Sequence, residues 1–213
     1  MKITTRAEKL VALQTFMNLE TGQLDETAFP LENALYAKSI LKKSLDRRIR
    51  TCKLCPGLNI KTFTEAAVGY GDLNASIFFV GQSLHSPGVT SGIPFILGSG
   101  FCLDAALHLS GLTRKDVFIS NVVHCHPEGN RASEPSEKRN CLQYLREEIE
   151  IVQPKLIVAL GNDAHWAVGR LPGLHIANTK IIKIRHPASF AYGAPEERGS
   201  WIVKLSLALD KVL

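Results

Sequence analysis

The sequence predicts an α/β fold of three layers, in which a mainly parallel, four-stranded central sheet lies between two layers of helices. The first observation is four short runs with the composition of buried strands, at 77–80, 117–123, 156–160 and 180–184. The second is that helix-like segments separate these runs, as in parallel strands joined by helical crossovers. The third is the Gly, Pro and polar residues at the ends of the runs. We therefore expect helices on both faces of the sheet.

The first 50 residues differ in pattern, so we expect a helical extension at 1–50 and a separate domain at 51–213. A first amphipathic helix is expected over 11–17 and a second over 31–49. The end of the second helix is basic, with Lys42, Lys43, Arg47, Arg48 and Arg50. Such residues form either an ordinary solvated face, which we favour, or a strip that contacts phosphates.

Four helical segments separate or follow the predicted strands of the domain. They are expected at 98–110, at 136–152, from Asn162 onward, and at 195–213. Ser136 is the expected N-cap of the second segment, but the residue three positions later is Arg139, so no capping box is predicted. Pro154 stops that helix. A candidate edge strand at 66–70 completes the sheet.

Composition limits the classes of protein to which the chain can belong. It has 213 residues, of which 45% are hydrophobic, enough for one large core. No apolar run approaches the ~20 residues that span a bilayer, and the N-terminus lacks the apolar segment of a signal peptide. We therefore expect a cytoplasmic protein without a membrane partner, most simply a monomer. The formal charge of +5 favours a polyanionic partner without establishing one.

Two loops that follow predicted strands have the polar composition of a chemical site. Residues 81–95 follow the first buried strand and are mostly small, polar or turn-forming, while 185–189 follow the last strand and contain His186. Ligands of α/β proteins bind beyond the carboxyl ends of the strands. An ordinary loop is the simplest interpretation of either segment alone, but together they could enclose one small ligand.

Four of the five cysteines follow a suggestive order: Cys52, Cys55, Cys125 and Cys141. The Cys-x2-Cys pair alone fits zinc, redox or iron–sulfur chemistry. Four thiolates complete either a tetrahedral zinc site or a [4Fe–4S] cluster, and the fifteen residues between the last two favour the cluster over zinc. Four unconnected thiols are the remaining alternative. The fifth, Cys102, lies in a helix-like run and is expected to be buried.

Five segments resemble the uracil-DNA glycosylase superfamily, and within it the iron–sulfur group called family 4. They are the Cys52-x2-Cys55 pair, Asn121 to Arg131, the Cys125-x15-Cys141 interval, Gly92 to Phe95, and His186 to Ala188. The resemblance covers about 50–213. It implies that the four cysteines hold a structural [4Fe–4S] cluster and that the partner is DNA containing uracil or an abasic site.

The resemblance also implies roles for individual residues. Phe95 would stack on a flipped base, Asn121 would read its amide edge, and His186 would donate to a uracil carbonyl as negative charge develops. Ser189, Phe190 and Tyr192 belong to the loop that would wedge into the duplex. Two arginines could bind phosphates as bidentate donors: Arg131 and Arg185.

The first motif departs from that of the iron–sulfur group, which has a Glu after the first Gly. Here Gly81 is followed by Gln82 and Ser83, and no Asp or Glu occurs before Phe95. Gly81 and Gln82 instead resemble the start of the motif in the best-known uracil-DNA glycosylases. In that alignment Ser83 replaces the water-positioning Asp, and His85 stands where a Tyr excludes thymine. His85 could orient the water, pack in the loop or contact phosphate.

The resemblance implies a DNA repair enzyme that hydrolyses the N-glycosidic bond of uracil, without a covalent intermediate, and leaves an abasic site. The missing acid leaves two alternatives. One is a non-catalytic or slowly releasing binder of uracil-containing or abasic DNA. The other is a glycosylase for a different deaminated base, since Ser83 and His85 change the wall of the pocket.

Overall fold

A computed structural model describes residues 31–171 and 179–212. The chain divides into two compact units, Met1–Leu41 and Lys42–Leu213. The first expected helix, over 11–17, lies outside the described residues. The second is helix α1, Leu31–Arg50, which crosses the boundary between the units. Whether 1–50 is a separate extension stays a prediction.

The second unit is built on a five-stranded sheet. Its strands are β1 (Tyr70–Gly71), β2 (Ile77–Ser83), β3 (Phe118–Val123), β4 (Leu156–Leu160) and β5 (Lys180–Ile184). They lie in the order β1-β3-β2-β4-β5, in which β2 to β5 are parallel and β1 pairs antiparallel with β3. The predicted α/β class with a mainly parallel sheet is confirmed. The sheet has five strands rather than the expected four, because an edge strand is present. That strand is Tyr70–Gly71 and overlaps the expected range 66–70 only at Tyr70.

Helices cover both faces of this sheet. They are α2 (Ser86–Ser91), α3 (Gly100–Leu109), α4 (Pro135–Val152), α5 (Asn162–Val168) and α6 (Pro195–Leu209). Side chains alternate along a strand, so each strand contributes to two cores. Phe78 and Phe118 pack on the face covered by α4 and α5, whereas Phe79 and Ile119 pack on the face covered by α3 and α6. Parallel strands buried on both faces explain the wholly apolar runs.

The start of α4 differs from the prediction. The N-cap is Glu134 rather than Ser136, and the Glu134 backbone N–H donates to the Glu137 side chain at 2.7 Å. Glu134 and Glu137 thus form a capping box, so the expectation that there is none was wrong. The helix start is shifted two residues toward the N-terminus, because Pro135 occupies the first helical position that suits its fixed φ. Within the described residues, no helix is long and apolar enough to cross a membrane.

Candidate active site

The site lies where the parallel strands end side by side. Gly81 on β2 is in register with Asn121 on β3. Beyond β4, Gly161 begins α5 and its N–H donates to the carbonyl of Ile184, the last residue of β5, at 2.7 Å. His186 follows two residues later. Three strand ends therefore place polar side chains at one edge of the sheet, as the sequence predicted.

Gly81 is the point at which two of the predicted substrate-binding residues meet. A Cβ built on Gly81 would overlap both the Asn121 side-chain oxygen and the Phe95 ring, whose Cζ would lie 2.6 Å away. A residue with any side chain would push these two groups apart. Glycine is therefore required at this position so that the amide and the ring can approach each other.

Phe95 links this pair to the histidine. Its ring centroid lies 5.7 Å from that of His186, with an angle of 33° between the planes. Its backbone has φ 58°, in the left-handed region that non-glycine residues rarely adopt. The ring is only partly buried. The accessible part of this aromatic face could stack against a planar ligand.

Asn121 is 3% exposed, and its Oδ1 has no hydrogen-bond partner. Within the described residues only two other buried side-chain atoms share this property, His124 Nδ1 and Ser133 Oγ. A buried polar atom without a partner costs free energy, so such atoms are rare unless a ligand or water satisfies them. The Asn121 oxygen is therefore available to accept an N–H from a ligand.

His186 is held as a neutral imidazole. Burial lowers its pKa to about 4. Its Nδ1 accepts the backbone N–H of Ala188 at 3.2 Å, so the neutral ring carries its proton on Nε2. Gly161, with φ 91°, lies against the histidine, since a Cβ there would be 3.1 Å from the Cβ of His186. The ring is thus fixed as an Nε2–H donor.

The proposed water-activating residues lie further along the first loop. Gln82 and Ser83 are half-buried at the end of β2. Burial and the nearby His126 lower the pKa of His85, so its ring is also a neutral imidazole near pH 7. A Cβ on Gly98 would lie 3.3 Å from His85 Cε1 and 3.2 Å from the Tyr192 hydroxyl. His85 and Tyr192 therefore both border Gly98, at one side of the loop that carries Phe95.

The residues expected to contact DNA separate into two groups. Tyr192 is 78% exposed, and Ser189 is exposed with its hydroxyl donating to the His186 carbonyl at 2.8 Å. Phe190, in contrast, is 3% exposed and packs 5.5 Å from the Trp201 ring, with the Arg185 guanidinium 5.4 Å from its centroid. The structure thus places Phe190 in the core, because its apolar ring fills space beneath α6. It is not positioned to enter a duplex.

Arg131 is already paired within the protein. Its guanidinium donates to both carboxylate oxygens of Glu137, at 2.6 and 3.0 Å. The Glu137 side chain lowers the availability of this arginine for phosphate, although the arginine remains exposed. Arg185 is exposed and directly precedes His186 in the chain.

The four predicted cluster ligands share one neighbourhood. Cys125 and Cys141 are buried in the core cluster against which Cys52 and Cys55 pack. Burial and then the Cys141, Cys52 and Cys55 thiols raise the pKa of Cys125. Within residues 31–171 and 179–212, however, no three Cys, His, Asp or Glu side chains converge as a metal-binding group. The four-thiol set fits a thiolate-bound group in its chemistry.

Two groups of residues in this region carried no sequence signal for their role. One is a buried carboxylate, Glu148, surrounded by Ser120, His124 and Lys42; in the sequence it is one of several acids on an amphipathic helix. The other is Arg114, which binds the backbone of Phe95. A charged side chain on an amphipathic helix or on a turn is usually solvated. Only the fold therefore identifies the buried contacts of Glu148 and Arg114.

The comparisons agree with the geometry. A family model for the Uracil DNA glycosylase superfamily matches residues 68–208. A type-4 uracil-DNA glycosylase of Thermotoga maritima is 38% identical over 130 residues, which are 61% of this chain and 67% of that protein. One of Archaeoglobus fulgidus is 34% identical over 170 residues, 70% and 84% of the two chains. A type-5 uracil-DNA glycosylase of Pyrobaculum aerophilum is 34% identical over 126 residues, 52% and 55% of the two chains. The chain belongs to the uracil-DNA glycosylase superfamily.

Proposed function

We propose that the protein is a monofunctional DNA glycosylase, which flips uracil out of DNA and hydrolyses its N-glycosidic bond to leave an abasic site. The observation that carries the proposal is the unpartnered, buried Oδ1 of Asn121 beside the Phe95 ring. Membership of the superfamily supports it. An enzyme that acts on a base must take it out of the stack, and the partly exposed Phe95 ring offers a flat aromatic face on which the base would stack.

Asn121 would select uracil by hydrogen bonding. Its Oδ1 would accept the N3–H of uracil and its Nδ2 would donate to O4. Cytosine presents an acceptor at N3 and a donor at position 4, so the same amide orientation would face two mismatched groups. Leaving buried polar groups unpaired discriminates strongly between substrates. Phe95 would stack on the base and fix its plane against this amide.

His186 would stabilise the leaving group. As the N-glycosidic bond breaks, the electron pair of the bond moves to uracil and negative charge develops on its carbonyl oxygens. The Nε2–H of the neutral imidazole would donate to one of them. A positioned donor of this kind typically contributes about 10²–10³ in rate. Burial of the ring supports the role, because hydrogen bonds to developing charge are stronger away from water.

Water activation would depend on the first loop without a carboxylate. No Asp or Glu occurs over 81–95, so the half-buried Ser83 and the neutral His85 are the candidates. A general base typically contributes about 10²–10⁴ in rate. A slower enzyme that retains leaving-group stabilisation is therefore consistent with the proposal.

DNA would bind over the loop that follows His186. Tyr192 is the exposed side chain suited to occupy the space of the flipped nucleotide, while Ser189 and Arg185 would contact phosphates. Arg131 would also contact a phosphate, with the N–H groups that its pairing with Glu137 leaves free. The formal charge of +5 supports a polyanionic partner.

Cys52, Cys55, Cys125 and Cys141 would hold a [4Fe–4S] cluster. When bound, the cluster would cross-link the turn after α1 to α4 and to the loop after β3. The four-thiol donor set supports it. Burial and the neighbouring thiols raise the pKa of Cys125, and a bound cation would offset the repulsion that its thiolate meets there. Purified protein should be brown and contain iron, and Cys141→Ser should lose both. Colourless protein with one bound zinc would contradict the assignment.

The function is tested with oligonucleotides that contain one uracil, single-stranded and double-stranded, incubated with purified protein and then treated with alkali. Strand scission at the uracil position is expected, with none for matched thymine or cytosine substrates. No scission at stoichiometric protein would contradict the proposal. Tight binding without release would identify a binder instead, and scission only at hypoxanthine or xanthine would identify a different deaminated base.

A further inference from the structure

The backbone around Phe95 is held in an unfavourable conformation. Phe95 has φ 58° and Leu97 has φ 60°, so two non-glycine residues separated by one position lie in the left-handed region. The Cβ of an L-residue crowds the following carbonyl there, so the conformation persists only where surrounding contacts impose it. The contacts that impose it are therefore the ones that orient the Phe95 ring.

Arg114 makes these contacts. Its Nη1 donates to the Pro94 carbonyl at 3.0 Å and its Nη2 donates to the Phe95 carbonyl at 2.6 Å. The guanidinium is in turn held by Asp104, through Nε to Oδ1 at 2.5 Å and Nη2 to Oδ2 at 3.2 Å. One planar group thus ties two consecutive carbonyls of the site loop to helix α3.

Neighbouring residues are arranged around the same contact. Gly100 leaves room for it, because a Cβ there would overlap the Phe95 carbonyl and lie 3.1 Å from Arg114 Nη2. Asp116 closes the turn that carries Arg114, accepting the Thr113 N–H and hydroxyl, both at 2.7 Å. A short turn, a glycine and an acidic residue on α3 therefore converge on one arginine.

The same geometry excludes a role for Arg114 in binding phosphate. Its side chain is 15% exposed. Four of the five N–H donors of a guanidinium are used by the two carbonyls and by Asp104. The charge is also matched by the carboxylate. Little of the group remains for a ligand in solvent.

We propose that Arg114, oriented by Asp104, is a positioning residue that fixes the Phe95 ring against Asn121 and His186. Arg114 touches no substrate in this account and acts only through the backbone of the site loop. The proposal rests on the proposed function for its kinetic consequence, since a misplacement of about 1 Å in a catalytic site can cost up to about 10²-fold in rate.

Arg114→Lys tests the proposal. Lysine keeps the charge but offers one ammonium in place of the planar fork, so it cannot hold both carbonyls and Asp104. We expect the single-turnover rate of uracil release to fall about 10- to 100-fold, with affinity for uracil-free duplex unchanged. Arg146→Lys is the matched control, because Arg146 pairs with Glu150 on the surface of α4 at 2.7 Å. Its rate should equal that of the wild type.

A second readout does not depend on activity. Hydrogen exchange of peptides that cover 92–101 should accelerate in Arg114→Lys and in the milder Asp104→Asn, with the strands unchanged. Wild-type rate and wild-type exchange in both variants would overturn the proposal, as would a parallel loss of affinity for uracil-free DNA. If the wild type released no uracil, the proposed function would fail, and faster exchange over 92–101 would still support the positioning contact.

Discussion

Ser120 and Asn121 are neighbours on β3, and their side chains enter opposite faces of the sheet. Ser120 donates to Glu148 on α4, whereas Asn121 lies against Gly81 and Phe95 on the other face. Both faces of the sheet contain buried polar groups beside these two neighbouring positions of β3. They differ in whether the protein satisfies the central acceptor: Glu148 accepts hydrogen bonds on the Ser120 face, whereas Asn121 Oδ1 has no partner on the other face. His124 Nδ1, on the Ser120 face, is also without a partner.

On the Ser120 face the carboxylate is saturated. Glu148 is fully buried and accepts from the Ser120 hydroxyl, from the Gly69 N–H at 2.9 Å and from His124 Nε2 at 3.2 Å, with Lys42 Nζ 3.7 Å away. Although burial alone would raise it, the pKa of Glu148 is lowered by His124, Lys42 and the Ser120 hydroxyl. Such a network stabilises one arrangement of the core.

On the Asn121 face the acceptor has no donor. The Asn121 oxygen has no partner, and the nearby Phe95 ring has its centroid 5.7 Å from that of His186. The neutral His186 ring carries its proton on Nε2. A satisfied polar group contributes to stability, whereas a buried acceptor without a partner costs stability unless a ligand or water satisfies it. On this contrast we propose a structural role for Ser120 and a substrate-binding role for Asn121.

The largest expected effect separates the two neighbours directly. Asn121→Ala should lower the rate of uracil release about 10²- to 10³-fold, because the buried site loses both hydrogen bonds to the base. Its stability should change by less than about 1 kcal/mol, since an unpartnered polar atom is removed. Ser120→Ala should keep the rate and lose about 1–3 kcal/mol of stability. Single-turnover assays and urea unfolding give both quantities. A loss of rate in Ser120→Ala alone would reverse the assignment of the two faces.

A glycine on each face gives the next comparison. Gly81→Ala should lower the rate about 10²-fold, since its Cβ would separate Asn121 from Phe95. Gly69→Ala places a Cβ 2.6 Å from Glu148 Oε1 and 2.8 Å from Phe118 Cζ, so it should lower the melting temperature and leave the rate of the folded protein unchanged. An equal loss of rate in both variants would show that the strain from any added Cβ lowers the rate, rather than its closeness to Asn121 and Phe95.

Glu148→Gln tests the saturated face by itself. The variant removes the counter-charge of His124 and Lys42 within a buried site, which costs about 3 kcal/mol. For a domain of this size the melting temperature should fall by roughly 6–12 °C. Uracil release by the folded protein should be unaffected. A melting temperature within about 2 °C of the wild type would contradict the claim that this network stabilises the core.

The smallest expected effect concerns pH. His186 titrates at about 4 in the folded protein and at its ordinary pKa of 6.5 when unfolded. Below pH 6.5 the unfolded chain therefore binds a proton that the folded protein does not, so the stability due to the neutral ring is full above 6.5 and is lost as the pH falls toward 4. His186→Asn should show a weaker dependence in urea unfolding over this range. An NMR titration midpoint of His186 near 6.5 would contradict burial of the ring.

The sequence identified the strand ends because apolar runs followed by polar loops have few other interpretations. Motifs predicted Phe95, Asn121 and His186 as site residues, and the fold places Phe95 near each of the other two. Residues whose role depends on partners distant in the chain were not predictable. Arg114 contacts carbonyls 19 and 20 residues earlier, and Glu148 meets Gly69 across 79 residues.

Some local predictions failed for related reasons. The family resemblance implied that Phe190, in the loop after His186, would be exposed. Its ring instead packs against the ring of Trp201 on α6. The cap of α4 moved from Ser136 to Glu134, because Pro135 favours the first helical position and Glu137 is then correctly placed to accept the N-cap N–H. In both cases a contact in the folded chain determines the local structure: the packing of Phe190 on Trp201, or the hydrogen bond between Glu134 and Glu137. Composition reveals neither contact.

The most direct test of the central claim is NMR of the Asn121 side-chain amide and the His186 imidazole during titration with free uracil. Both sets of signals should shift together, with one dissociation constant, while the signals of His124 and Ser120 stay unchanged. Cytosine should cause no such shift. If saturating uracil leaves the Asn121 and His186 signals unperturbed, these two residues do not bind the base, and their proposed roles are contradicted.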